Sequence, residues 1–134
     1  MAWLLNDTTN NPSDSLRLYF DTTRNLGDPD TSDRFFQIVR DGTQSVQAGI
    51  GNNADGLMWN PAYSSANWTA VIGEPGTNQW VVEMQIDIGL EMPALANPYG
   101  MMAQVLSGDL ATWPPGGVST SANTWQGVNW MPCP

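Results

Sequence analysis

The sequence predicts an all-β fold, an antiparallel β-sandwich of about eight or nine strands in a jelly-roll or immunoglobulin-like arrangement. Three observations carry this. Short segments alternate apolar and polar residues at the period of two that a strand with one buried face requires. Gly, Pro, Asn and Asp cluster between those segments, and no stretch keeps a helical period over about ten residues. With 134 residues, 41% of them hydrophobic and seven of them Trp, the chain is long enough to bury a core as a single sandwich domain, 1–134.

Taken in order, AWLLN (2–6) reads as a short strand and DTTNNPSD as a loop of turn formers. In SLRLYF (15–20), Leu16, Leu18 and Phe20 alternate with Arg17 and Tyr19. RFFQIVR (34–40) repeats the pattern with Phe36 and Ile38 on one side. Asp41-Gly42 is a hairpin signal, because both residues tolerate positive φ, and QSVQAGI follows as the partner strand. Residues 51–66 read as loop, with Met58, Trp59 and Tyr63 set among polar and turn residues. NWTAVI (67–72) and QWVVEMQIDI (79–88) are strands on either side of the turn GEPGTNQ. Trp80, Val82, Met84, Ile86 and Ile88 form the apolar side of the second, and Trp68 and Trp80 are assigned to the core. GLEMPALANP holds one helical turn at most before Pro93 and Pro98 interfere. YGMMAQVL (99–106) places Tyr99, Met101, Ala103 and Val105 on one face. The tail gives a short strand near Leu110 to Trp113, a long loop, and a closing strand at about 124–130.

Composition narrows the chemistry. The formal net charge is -9, from thirteen acids and four basic residues, all Arg, with no His. Such a surface repels phosphate backbones and anionic lipid, so neither nucleic acid nor a membrane is expected as a partner. Without His or Lys the chain lacks the usual general base, Schiff-base chemistry and the Ser-His-Asp triad. Glu83 and Asp87 stand four apart on one strand's polar face, and nothing sets two carboxylates across a cleft, so no enzyme is expected. No apolar run reaches the roughly 18 residues of a membrane span. The start MAWLLNDTTN lacks the basic residues and apolar length of a secretory signal. The one cysteine, Cys133, makes no intrachain disulfide, and the sequons at Asn6 and Asn67 are read as chance matches.

Two sets of residues stand out. The loop DTTRNLGDPDTSD carries Asp21, Asn25, Asp28, Asp30 and Asp33. That many acids together call for a cation or open water, and a calcium ion takes six to eight oxygens from such a flexible loop, so a structural calcium is expected there. The second set is aromatic. Trp59, Tyr63, Trp113 and Trp125 lie in or beside loops, where a flat ring can stack on the C–H face of a sugar while nearby amides and acids bond its hydroxyls.

In this order of strands the chain resembles carbohydrate-binding module family 9 and the related DOMON-like sandwiches. The features that carry the resemblance are Asp14 and Ser15 opening a strand that ends in Asp21, the acidic loop, and the pair Asp33 and Arg34 ahead of Phe35. A later strand from Trp80 to Ile88, the Trp113-Pro114 stretch and Trp125 in the tail complete it. The resemblance implies a non-catalytic saccharide-binding module, in a secreted or cell-surface setting, with a calcium-stabilised loop. Family members hold a pyranose between two Trp faces. Trp113 and Trp125 match the C-terminal face, while the other position, Asn10 to Ser13, has no aromatic, which leaves Trp59 or Tyr63 to take that side. Members also carry further strands before the position of Ala2 to Asn6. A sandwich without them exposes an apolar edge, so a homodimer that covers the gap is expected. The alternative function is self-association or protein interaction without sugar binding.

Overall fold

A computed structural model describes residues 1–6, 9–51, 57–107 and 109–129. Cys133, Trp130 and Asp7-Thr8 of the first sequon lie outside the described residues, as does the last residue of the closing strand expected to reach 130. Two antiparallel sheets face each other. The smaller holds β1 (Ala2–Asn6), β7 (Gln79–Ile86) and β6 (Trp68–Gly76), in that order. The larger runs β10 (Gln126–Val128), β8 (Tyr99–Ser107), β2 (Ser15–Asp21), β3 (Arg34–Val39), β4 (Gln44–Gly49) and β5 (Trp59–Asn60). A further strand, β9 (Asp109–Trp113), shares the outer edge of β8 with β10. The fold is an all-β sandwich.

The alternation read in the sequence builds the core. Leu16, Leu18 and Phe20 of β2, Phe36 and Ile38 of β3 and Met101 and Ala103 of β8 meet Trp80, Val82 and Met84 of β7 between the sheets. Phe20 and Phe36 pack edge to face with ring centroids 5.7 Å apart, and Trp68 sits 5.2 Å from Phe36 in the same way. The Asp41-Gly42 hairpin forms as expected, with Gly42 at φ 92° and Thr43 N–H donating to Asp41 Oδ1 at 2.8 Å.

Three details differ from the expectation. Residues 51–66 contain a two-residue strand, β5, whose partner β4 takes Trp59 opposite Gly49. β7 stops at Ile86, because Asp87 caps a short helix, α1 (Ile88–Glu91), accepting Leu90 N–H at 3.1 Å. The closing strand is shorter, at Gln126–Val128, preceded by a 3-10 turn at Ala122–Thr124.

α1 is fastened to the larger sheet by a buried ion pair. Glu91, 1% exposed, accepts Arg34 Nε and the Tyr63 hydroxyl, each at 2.9 Å, on Oε1 and the Ser65 hydroxyl on Oε2. The Arg34 guanidinium lies 4.8 Å from the centre of the Tyr63 ring and also donates to the carbonyls of Thr31 and Asp33. All three side chains are thus set by one carboxylate. Glu91→Ala strands the half-buried Arg34 charge and should lower unfolding free energy by about 3–5 kcal/mol in urea titration. Ser65→Ala, which removes one neutral donor, should cost about 1 kcal/mol.

Candidate functional site

The acidic loop between β2 and β3 folds around its own backbone. Asp21 Oδ1 and Oδ2 accept the N–H groups of Asn25 and Leu26 at 3.1 and 3.0 Å. Asp33 Oδ1 and Oδ2 accept those of Thr22 and Asp30 at 2.9 and 3.0 Å. Asp30 takes the Ser32 N–H on Oδ1 at 2.8 Å and the Asn25 amide on Oδ2 at 2.6 Å, while Asn25 Oδ1 accepts Gly27 N–H. Asp28 is exposed. The five residues expected to hold calcium are therefore neighbours, but the oxygens of four of them point at loop donors. Among the described residues no group of three or more acids or cysteines is arranged to hold a metal ion. The donor set fits Asx-type turn chemistry better than a cation cage.

Close packing holds this loop. A Cβ on Gly49 would overlap the Asp30 carbonyl, and one on Gly127 would overlap the Arg24 guanidinium. Asp21 and Asp33 are fully buried. Burial pushes the Asp33 carboxyl from 3.8 up to about 6, opposed by its bonds from Asp30 and Thr22 and reinforced by the charges of Asp30 and Asp21.

The four aromatics expected to line one sugar site occupy three places. Trp59 and Trp125 lie together on the outer face of the larger sheet, packed on Tyr19, Phe35, Met102 and Ala122. Trp125 is 6% exposed, its ring centre 5.8 Å from that of Tyr19, and its indole N–H donates to the Val118 carbonyl at 2.7 Å. Trp59 N–H donates to the Ser119 carbonyl at 3.3 Å. Both rings hold the segment after β9 against the sheet. Tyr63 belongs to the Glu91 cluster, with Arg34 over its ring. Trp113 is 42% exposed and stands apart, on the last residue of β9.

Trp113 stands at an open edge of the sandwich. On the opposite side, β4 and β6 are joined by Gln44, whose amide bonds the Ala70 carbonyl and N–H at 2.8 and 3.0 Å. On the Trp113 side, among the described residues, β1 ends the smaller sheet, and β9 and β10 end the larger. Between them lies a cleft of about 320 Å³ lined by Met1, Trp3, Tyr99, Met101, Trp113 and Val128. The Trp3 indole N–H is buried without an acceptor among the described residues. Met1, Leu4 and Leu110 are also exposed along these strands.

Sequence reasoning located Trp113 but not its neighbours Met1 and Trp3, which line the same cleft. The available signal was β1 itself, an uncharged apolar strand whose exposed and buried positions both carry large side chains. No protein-family model matches the chain, and no curated protein matches it.

Two measurements follow from this geometry. Because the folded chain binds a proton at Asp33 more tightly than the unfolded chain, the stabilisation from a neutral Asp33 is complete below about pH 3.8 and lost as pH rises through about 6. Its contribution to melting temperature should therefore grow as pH falls from 7 to 5, and Asp33→Asn should flatten that slope; an unchanged slope contradicts the assignment. Separately, Trp125→Ala should cost about 3–5 kcal/mol in denaturant unfolding, as for a core aromatic. Trp113→Ala, at the exposed edge, should cost about 1 kcal/mol or less.

Proposed function

We propose that this chain is a non-catalytic binding module that works by self-association through its open edge, with the cleft beneath Trp113 at the contact. The observation that supports this reading is the apolar cleft set between two adjacent sheet edges that are unpaired among the described residues. Monomeric domains normally cover such a place, and burying its side chains yields roughly 25 cal/mol per Å² of apolar area. The chain's net charge of -9 opposes association at long range, so the contact is held by local apolar burial and backbone pairing, and salt strengthens it.

Saccharide capture is the second reading, and the exposed ring of Trp113 is the observation that favours it. A sugar site also needs fixed polar groups to bond the hydroxyls. Tyr99 is the one lining residue with a side-chain hydroxyl, and it is buried. The acidic loop, where calcium was expected, lies outside this cleft, and its Asp21 and Asp33 carboxylates accept loop N–H groups.

Sedimentation equilibrium of the full chain should show a mass that rises from monomer to dimer with concentration, and further with added salt. Trp113→Glu should weaken the association at least tenfold. A monomer at every concentration, together with a saturable change in Trp fluorescence on adding mono- or oligosaccharides, would overturn this reading in favour of the sugar.

A further inference from the structure

Among the described residues β1 pairs only with β7, and its other edge is self-complementary. Met1 and Met84 exchange both backbone hydrogen bonds, each at 2.8 Å. In an antiparallel ladder bonded and non-bonded pairs alternate, and the register sets Trp3 opposite Val82 and Leu5 opposite Trp80 as the next bonded pairs. The N–H and C=O groups of Ala2, Leu4 and Asn6 therefore point away from β7, toward the open edge. These three residues are symmetric about Leu4.

Resting on the self-association reading, we infer that a second copy of this chain pairs its β1 antiparallel to this one about a two-fold axis through Leu4. Leu4 then lies opposite the second copy's Leu4, Ala2 opposite its Asn6 and Asn6 opposite its Ala2, in three pairs that each exchange two bonds. The smaller sheet continues across the axis as one sheet from β6 of one copy to β6 of the other.

Charge and side chains agree with this occupant. β1 carries no charged side chain and no Pro, the usual devices that keep an edge strand from pairing. At its start, Met1 N donates to the Met84 carbonyl. Identical strands can therefore meet without opposing like charges, in spite of the chain's net charge of -9. On the outer face, Leu4, 61% exposed, meets its own copy. On the inner face, Trp3 falls opposite the second copy's Leu5, beside the cleft that Trp3 lines.

The test uses the full chain, with mass and backbone amide exchange read on the same samples. At concentrations where the mass is that of a dimer, the amides of Ala2, Leu4 and Asn6 should exchange at least tenfold more slowly than in the dilute monomer. Leu4→Lys places two like charges opposite each other at the axis, and Leu4→Pro removes the central donor pair. Neither touches a bond to β7, so circular dichroism should stay native while both variants sediment as monomers. A dimer whose Leu4 amide exchanges as fast as in the monomer, or that survives both variants, overturns β1 pairing. If such a dimer is still weakened by Trp113→Glu, the open-edge reading stands without it. A wild-type chain that never exceeds monomer mass overturns both.

Discussion

A three-stranded sheet cannot cover a sheet of seven strands, and that mismatch governs the rest of this sandwich. The inner face of the larger sheet meets β1, β7 and β6 only over its middle. Its outer face is also apolar at Tyr19, Phe35 and Met102, and is covered by the segment carrying Ala122 and Trp125. One margin is closed by the Gln44 amide acting as a surrogate strand against Ala70. Among the described residues the other margin has no such clamp, and there the exposed apolar side chains collect.

Burial also explains the roles of the polar residues. Asp21, Asp33 and Glu91 are themselves buried, so their carboxylates must be satisfied internally. Asp21 and Asp33 do this by bonding loop N–H groups, and Glu91 by binding Arg34, Tyr63 and Ser65. The surplus of acids is thus partly architectural. Asp33 illustrates the cost, since its burial favours the neutral acid at a pH where most carboxylates are charged.

Period-two patterns and the turn residues between them made all the strands among the described residues legible except β5. Tyr19 shows where that logic stops. In SLRLYF it occupied the polar side of the alternation, yet it is buried, stacked 4.7 Å from Phe35 and bonded through its hydroxyl to Gln104. A strand buried on both sides by partners of different kinds does not announce the second one. The loop aromatics were misleading for a related reason. Nothing local distinguishes Trp125, which anchors a covering segment, from Trp113, which is left at an edge; only the three-dimensional path of residues 114–125 separates them. The acidic loop was found as a cluster, but which oxygens face inward depends on backbone turns that composition does not encode, such as the positive φ at Arg24 and Leu26.

The central claim is that the open edge is completed by a second copy. An isotope-filtered nuclear Overhauser experiment on a mixture of labelled and unlabelled chain tests it most directly. The account predicts cross-peaks between chains that join Leu4 methyls to Leu4 methyls and the Trp3 ring to Leu5. Cross-peaks between chains arising only from other surfaces, or none at concentrations that favour association, would contradict it.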